Sequence, residues 1–247
     1  MANANFTRVF SNSVLHSAYM KSTILALLFL LAGCGGTVQT SAPVARSGIV
    51  FVGDSIFGRF TAEPQFIQAG YIDAGVFGER TDQMLARFPD ILSGQNICHG
   101  FKPPDGVAPD PQFNYACSTL PVAPAKVVIM GGWNNFFQGN ANNSSLADLQ
   151  QMVNMAHQQH VEVVICTLYA FDPAHPASWM VPTGNAPVSY YDMWRTPLND
   201  GIRHMQSVAV FDADAVFSGQ SDYTADGIHP ILGASDVQLL NAIQQKL

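Results

Sequence analysis

The sequence has few charged residues, and basic ones are especially scarce. Only 12% of its 247 residues are charged, and 11 Lys and Arg stand against 18 Asp and Glu, giving a formal net charge of -7. Proteins that bind nucleic acids need clustered basic side chains against the phosphates, so this composition predicts no nucleic-acid partner. The hydrophobic fraction is 48%, which is enough to build one sizeable core.

Long apolar runs are also missing, because the N-terminal one is shorter than the roughly 20 residues that a membrane-spanning helix needs. Lys21 precedes the apolar stretch 24–31, which continues into Leu31-Ala32-Gly33-Cys34. A positive residue, a short apolar core and small residues are typical of a secretory signal peptide. The last four residues resemble a bacterial lipobox, and this resemblance implies cleavage before Cys34 and lipidation of its thiol.

These features predict three regions along the chain. They are an upstream extension with a lipoprotein signal peptide at 1–33, a polar, flexible tether at 34–46, and one folded domain at 47–247. Because the signal pattern begins near Met20, that residue is an alternative start to Met1. The alternative interpretation is an ordinary signal peptide with an incidental cysteine. Gly35 is not the Asp that favours inner-membrane retention in the resembling lipoproteins, which implies anchoring at the outer membrane of a bacterial envelope.

Cysteine is scarce within the domain. Cys98 and Cys117 lie in one Gly- and Pro-rich stretch, and in an exported protein they predict a disulfide that closes a local loop. Two free loop thiols are the alternative. Cys166 ends an apolar run and is predicted to be buried and inert. His157 and His160 share one predicted helix but have no evident third ligand, so no metal site is predicted.

Short apolar runs alternate with helical patterns along the domain. Strands that are nearly all apolar and separated by helices are typical of a parallel sheet covered on both faces. In such α/β folds the functional groups gather at the carboxyl ends of the strands. The predicted strands are 49–52, 126–130, 161–167 and 208–212, with a weaker one at 70–74. The predicted helices are 81–88, 145–160, 196–206 and one after Gly233, while 93–124 is an insertion and 170–195 is irregular.

A serine directly follows the first of these strands. Ser55 is a weak nucleophile unless a base takes its proton, so the chain must supply a histidine. His229 lies in Asp226-Gly227-Ile228-His229-Pro230, near the last predicted helix. An acid three residues earlier can reach the ring Nδ1–H, which fixes the tautomer and leaves Nε2 facing the serine. We therefore predict Ser55, Asp226 and His229 as the catalytic residues.

Acyl transfer also needs hydrogen-bond donors for the oxyanion. Gly78 offers a backbone N–H without side-chain hindrance, and Asn134 offers a side-chain amide. One such donor contributes about 3 kcal/mol of transition-state stabilisation. The aromatic residues of the long loop could stack on a sugar ring or cover an acyl chain, and the alternative is that they pack the loop onto the core. The candidate substrate contacts are Trp133, Asn135, Trp179 and Trp194.

Four segments resemble, in the same order, the four sequence blocks of the SGNH (GDSL) hydrolases. They are Gly53-Asp54-Ser55, Gly75-Val76-Phe77-Gly78 with Thr81, Gly132-Trp133-Asn134-Asn135, and Asp226-Gly227-Ile228-His229-Pro230. The resemblance implies a flavodoxin-like three-layer α/β/α sandwich with a mostly parallel sheet. It also implies ester hydrolysis through an acyl-enzyme without metal or cofactor. By position it places the Ser55 N–H beside Gly78 and Asn134 in the oxyanion hole and gives Asp54 a structural role.

The blocks depart from the family pattern at three places. Ile56 replaces the leucine of the name motif, and Glu79-Arg80 stands where Gly-Asp-Thr is usual, which bears on the alignment of Gly78. Trp133 precedes the asparagine of the third block, where its bulk can shape an acyl or sugar pocket. Gly53-Asp54-Ser55-Ile56-Phe57-Gly58 also lacks the Gly-x-Ser-x-Gly pattern, which disfavours the nucleophile elbow of the α/β-hydrolases.

We therefore predict a serine ester hydrolase that acts on a small-molecule or polysaccharide ester, with carbohydrate O-acetyl or other small acyl groups as substrate. Two alternatives stay open. One is a lipase, lysophospholipase or thioesterase that takes longer acyl chains. The other is a non-catalytic, carbohydrate-binding envelope lipoprotein.

Overall fold

The computed structural model describes residues 45–103, 108, 110–138, 144–172, 174–175 and 188–247, except for the side chains of 188–190. The predicted lipidation site Cys34 and the predicted substrate contact Trp179 lie outside the described residues. None of the helices in the described ranges has the length and apolarity that crossing a bilayer demands.

Five parallel strands form the central sheet. In chain order they are β1 (Ile49–Gly53), β2 (Ile72–Gly75), β5 (Lys126–Met130), β6 (Glu162–Cys166) and β7 (Ala209–Phe211), and their order across the sheet is β2-β1-β5-β6-β7. Two further strands, β3 (Ile97–His99) and β4 (Ala116–Ser118), pair antiparallel in a separate hairpin. After their first residue, the three central strands β1, β5 and β6 carry only apolar residues, as is typical where both faces of a sheet are covered.

Side chains of the strands alternate between two cores. Phe51, Val128 and Val164 pack into one hydrophobic cluster, whereas their neighbours Val50 and Val127 pack into the other. Helices cover both faces, which gives three layers and confirms the predicted α/β sandwich. The helices are α1 (Ser55–Gly58), α2 (Pro64–Gln68), α3 (Thr81–Ser93), α4 (Trp133–Phe137), α5 (Ser144–Gln158), α6 (Val188–Arg203), α7 (Ala213–Phe217) and α8 (Ser235–Gln244).

Strand order creates a crevice at the carboxyl end of β1. The chain leaves β1 for β2 on one side and then returns to β5 on the other side. Connections therefore diverge between β1 and β5, and ligands of such sheets bind outside the strand ends at this switch point. Asp54 directly follows β1, so Asp54 and the start of α1 lie at this switch point.

Two helices extend beyond a predicted boundary, and each has a proline in its interior. The α3 helix continues through Pro89 to Ser93 instead of ending at Phe88, and α6 begins at Val188 rather than at Thr196, with Pro197 in its interior. A proline inside a helix removes one hydrogen bond and costs about 3 kcal/mol. Burial of Ile91 and Leu92 beyond Pro89 offsets this cost, because both side chains are fully enclosed.

Candidate active site

Ser55 is held at the end of β1 by a very short helix. The Asp54 side chain caps α1, since its Oδ1 accepts a hydrogen bond from the Ile56 N–H at 3.0 Å. The serine is the first residue of α1 and is 9% exposed. Gly75 at the end of β2 lets this helix lie against the strand, because a Cβ there would stand 2.2 Å from the Gly58 nitrogen. The nucleophile candidate is therefore presented on a rigid turn.

The structure brings Ser55, His229 and Asp226 together. The Ser55 Oγ and His229 Nε2 are 2.7 Å apart, although 174 residues separate them in sequence. On the other side of the ring, His229 Nδ1 lies 2.7 Å from Asp226 Oδ2. The Asp226 Oδ1 accepts hydrogen bonds from the backbone N–H groups of His229 at 2.8 Å and Ile228 at 3.2 Å. This chain of contacts can pass a proton from the hydroxyl to the imidazole.

Electrostatics keep the Asp226 carboxylate ionised. Burial alone raises its pKa, but the hydrogen bond and the charge of His229 and the two backbone N–H groups lower it by more, to about 2. An ionised carboxylate accepts the Nδ1–H and stabilises the imidazolium that forms during proton transfer. The geometry and the charge therefore favour His229 as a base toward Ser55.

The loop that carries His229 is anchored on both sides. The Tyr169 hydroxyl donates a hydrogen bond to the Ile228 carbonyl oxygen, and the Ala225 N–H donates to the His229 carbonyl at 3.0 Å. Arg59 Nη2 donates to the Pro230 carbonyl at 3.3 Å. Since Arg59 directly follows α1, this bond ties the serine helix to the histidine loop.

Gly78 and Asn134 lie beside one another, but their predicted oxyanion donors differ: only the Gly78 N–H has no acceptor among the described residues. Gly78 is exposed with φ +75°, and its N–H has no acceptor among the described residues. The Asn134 Nδ2 donates to the Glu79 carbonyl at 3.1 Å and to Asp54 Oδ2 at 3.3 Å. An oxyanion must therefore compete with these two acceptors for the Asn134 amide.

Asp54 has the structural role that the resemblance implies. It accepts from the Ile56 N–H and from Asn134 while being 2% exposed. Burial raises the pKa of Asp54 to about 6, although the Ile56 hydrogen bond and the charge of His229 act in the opposite direction. Its carboxyl group thus links the serine turn to the segment that bears Asn134.

The Asn135 side chain ties the start of α4 to the start of α3. Its Oδ1 accepts the Thr81 N–H at 2.9 Å, and its Nδ2 donates to Thr81 Oγ1 at 2.9 Å. Thr81 Oγ1 in turn donates to Asp148 Oδ2 at 2.7 Å. These bonds fix the start of α3 just after Gly78. Both polar atoms of the buried Asn135 side chain bond Thr81, and Asn135 also lines the cavity described next, so its contact with substrate stays a prediction.

Trp133 and Trp194 line a cavity of about 190 Å³ beyond the carboxyl ends of β5 and β6. Trp133 is 3% exposed and stacks on Phe137 with ring centroids 5.7 Å apart, so its face is not open to a sugar ring. Neither Ser55 nor His229 is among the residues that line the cavity. The walls are mostly apolar, with Arg195 as the charged exception; the lining residues are Gly132, Trp133, Asn135, Phe136, Ser145, Leu146, Leu168, Trp194, Arg195, Pro197 and Leu198.

The two loop cysteines that the sequence singles out are joined. Cys98 and Cys117 form a disulfide across the β3–β4 hairpin. The hairpin supports the approach to Gly78, since the Gly100 N–H donates to the Gly75 carbonyl at 2.8 Å and the Phe77 N–H donates to the Gly100 carbonyl at 3.0 Å. Cys166 is free and buried, and burial raises the pKa of its thiol.

Sequence reasoning missed the charged residues that brace the site. Arg59 and Arg87 contact backbone carbonyls near Ser55, yet each stands in sequence as an ordinary polar residue of a helix or loop. The one available signal is the departure from the family pattern at Glu79, which is the ion-pair partner of Arg87. Among the described residues, no three His, Cys, Asp or Glu side chains are grouped so that they could hold a metal ion.

Solved structures of other proteins share this fold. A protein of Bacteroides fragilis described as an acylhydrolase is 22% identical, with 87% of this chain and 95% of that chain covered and a TM-score of 0.57. A GDSL-like lipase of Bacteroides thetaiotaomicron is 18% identical, with 81% and 86% covered and a TM-score of 0.56. An esterase of a Pseudoalteromonas species is 14% identical, with 81% and 96% covered and a TM-score of 0.50. These likenesses support the fold.

The family is established by sequence. No curated protein sequence matches the chain, but the model of the GDSL-like lipase/acylhydrolase family matches residues 51–231, which span the serine turn and the histidine loop. We conclude that the chain belongs to the GDSL-like lipase/acylhydrolase family and is a carboxylic ester hydrolase of the SGNH type.

Proposed function

We propose that the protein hydrolyses esters through an acyl-enzyme on Ser55. The observation that carries this proposal is the contact chain Ser55 Oγ–His229 Nε2–Asp226, with 2.7 Å at each step. His229 takes the serine proton while Oγ attacks the ester carbonyl, and the oxyanion binds the N–H groups of Ser55 and Gly78 and the Asn134 amide. Collapse of this tetrahedral intermediate breaks the bond from the acyl carbon to the alcohol oxygen, which takes the proton from the imidazolium and leaves the acyl group on Ser55 Oγ.

The second half of the reaction regenerates the enzyme. A water molecule gives a proton to His229 Nε2 and attacks the acyl carbon. This attack forms a second tetrahedral oxyanion, which binds the same hydrogen-bond donors. Collapse of this intermediate breaks the bond to Ser55 Oγ, which recovers its proton from the imidazolium, and the carboxylic acid leaves.

Labelling with a fluorophosphonate tests the nucleophile. We expect the full chain to be labelled at Ser55 and Ser55→Ala to lose labelling together with at least about 10⁴-fold in kcat. Ser221→Ala, which removes an exposed loop serine, is the control and keeps both. A wild-type protein that is neither labelled nor active on esters would instead support the non-catalytic carbohydrate-binding lipoprotein. A Ser55→Ala variant with full activity would show that Ser55 is not the nucleophile.

For the substrate, we propose small acyl esters, with O-acetyl groups of carbohydrates as the first candidate. The support is that Ser55 is only 9% exposed and that the cavity bordered by Trp133 and Trp194 has neither Ser55 nor His229 in its wall. A short acyl group reaches such a nucleophile without needing a deep channel. We expect kcat/KM to fall steadily along a series of esters from acetyl to decanoyl.

A medium-length acyl chain is the second candidate, favoured by the apolar walls of that cavity. Its volume of about 190 Å³ suits several methylene groups, and each buried methylene contributes about 0.8 kcal/mol. Ser145→Phe fills the cavity from its rim, and Ser144→Phe is the matched control outside the lining. If kcat/KM rises with chain length and Ser145→Phe alone removes the rise, the small-acyl proposal is wrong.

We also propose that the mature protein is anchored by lipid at Cys34, on the outer membrane of a bacterial envelope. The support is the sequence pattern around 21–34, which lies outside the described residues. An alkynyl palmitate fed to expressing cells should label the wild-type protein, and Cys34→Ser should abolish labelling while leaving esterase activity intact. Unlabelled wild-type protein in the soluble fraction would indicate an ordinary signal peptide.

A further inference from the structure

Arg87 joins three segments that converge on the active site. Its guanidinium grips the Glu79 carboxylate, with Nε at 2.8 and 2.9 Å from the two oxygens and Nη2 at 2.6 Å from Oε2. Nη2 also donates to the Ala74 carbonyl at 2.6 Å and approaches the Gly53 carbonyl at 3.4 Å. One side chain on α3 thereby ties together the ends of β1 and β2 and the turn after Gly78.

The segments it joins are those that carry the oxyanion donors. Gly53 directly precedes Asp54-Ser55, and its carbonyl also accepts the Val76 N–H at 3.0 Å. Glu79 follows Gly78, and its own carbonyl accepts the Asn134 amide at 3.1 Å. Movement of Glu79 would therefore shift both the Gly78 N–H and the Asn134 amide relative to Ser55.

The ion pair is sheltered, and it is the one charged contact among a few hydrogen bonds that the described residues make at the tip of this turn. The side chains of Arg87 and Glu79 are 15% and 12% exposed. Gly78 itself is exposed with φ +75°, and a Cβ there would meet no atom within 4 Å, so packing does not fix its orientation. The contacts at the tip are the Gln138 amide on the Gly78 carbonyl, the Glu79 N–H on the Val76 carbonyl at 3.2 Å, the Asn134 amide on the Glu79 carbonyl, and the ion pair at Glu79.

We propose that Arg87 and Glu79 are positioning residues that set the direction of the oxyanion donors at Gly78 and Asn134. The proposal rests on the function proposed above for Ser55. A fork-shaped guanidinium can bind the carboxylate and a carbonyl at once in fixed geometry, which a lysine ammonium cannot do. The pair acts through geometry, because Arg87 binds the Glu79 carboxylate and the backbone carbonyls of Ala74 and Gly53.

Positioning and mere stabilisation make different kinetic predictions. Removing an oxyanion donor lowers kcat by about 10²–10³-fold, so misplacing the donors should cost on the order of 10–100-fold. Because the oxyanion forms only in the transition state, kcat falls while KM stays nearly constant. A purely structural ion pair would lower Tm without changing kcat of the folded protein.

The test compares Arg87→Lys and Glu79→Gln with Arg203→Lys, which breaks a similar fork to Asp212 and Asp214 away from Ser55. For the first two variants we expect kcat to fall about 10–100-fold, KM to stay within about twofold, and the fluorophosphonate labelling rate to fall in parallel. Arg203→Lys should retain both rates. If Arg87→Lys does not fold, Glu79→Gln, which keeps side-chain size and an acceptor oxygen, decides the question.

Two results would overturn the proposal. One is kcat and labelling within about twofold of wild type in the folded variants, and the other is a raised KM with unchanged kcat. Failure of the proposed function has a different signature, because wild-type protein would then resist labelling or Ser55→Ala would stay active. The two failures are therefore distinguishable in one set of proteins.

Discussion

The His229 imidazole lies between a hydroxyl and a carboxylate, at 2.7 Å from each. Because the pKa of Asp226 is lowered to about 2, the carboxylate stays ionised across the working pH range and selects the tautomer with hydrogen on Nδ1. We predict that Asp226→Asn lowers kcat about 10⁴-fold, since an amide can hold the opposite tautomer in place. Steady-state kinetics should show the loss in kcat with little change in KM.

A neighbouring acid supplies the control for that prediction. Asp222 is exposed in the same loop region, and its carboxylate lies 3.7 Å from His175 rather than near His229. Asp222→Asn should therefore leave kcat unchanged. A loss below about tenfold in Asp226→Asn would mean that the backbone anchors of the 226–230 loop orient the ring without the carboxylate.

At the scale of elements, the sequence predicts the strands and the order of the motifs. It does not predict the side-chain contacts that join these elements. The strand at Lys126–Met130 is apolar on both faces and ends at glycines, so pattern alone identifies it. The predicted end of α3 at Phe88 is wrong, because a proline usually ends a helix, whereas here the burial of Leu92 stabilises the helix beyond Pro89. The pair Arg87–Glu79 requires knowing which carbonyls a helix faces, and no spacing in one sequence encodes that.

Because α1 packs closely on β2, the position of Ser55 should be sensitive to any side chain at position 75. A Cβ at position 75 would lie 2.2 Å from the Gly58 nitrogen and 2.7 Å from the Asp54 oxygen, both of them backbone atoms. We predict that Gly75→Ala displaces the helix that bears Ser55. The free energy of unfolding should fall by roughly 1–3 kcal/mol, and kcat by more than about tenfold, because a shift of about 1 Å misaligns the nucleophile.

Gly201→Ala is the comparison for this change. The three atoms nearest to the added methyl group all belong to the Leu146 side chain, whose end can move, and position 201 lies within α6. Alanine also has the higher helix propensity, so stability and kcat should both stay close to wild type. Chemical denaturation and initial rates measure the two effects. Normal kcat in a folded Gly75→Ala variant would show that the serine turn tolerates movement.

Across the whole molecule, a chain with few charges nevertheless buries several carboxyl groups. Asp54, Glu63, Asp73 and Asp236 are 2, 3, 7 and 0% exposed. Burial penalises the ionised form, so it raises the pKa of Asp54, Asp73 and Asp236 above the ordinary value. Folding then takes up protons between the unfolded and folded pKa values, which links stability to pH.

Asp236 provides the clearest test of this linkage. Burial raises its pKa to about 7, although the charge of Arg59 lowers it and that of Glu63 raises it further. A carboxyl group with a raised pKa adds stability that is complete below its unfolded pKa of 3.8 and is lost as the pH rises through about 7. Between pH 5 and pH 8 this group alone should therefore lower the free energy of unfolding by roughly 2–3 kcal/mol.

Asp236→Asn removes the titration while keeping the side-chain shape, so the difference in unfolding free energy between pH 5 and pH 8 should shrink by that amount. His99, whose pKa burial lowers, destabilises the fold in the opposite direction as the pH falls, but it is common to both proteins and cancels in the comparison. Asp200→Asn, at an exposed acid, is the control. Parallel pH profiles for wild type and Asp236→Asn would mean that Arg59 keeps Asp236 ionised at pH 5, and that the buried pair is a true salt bridge.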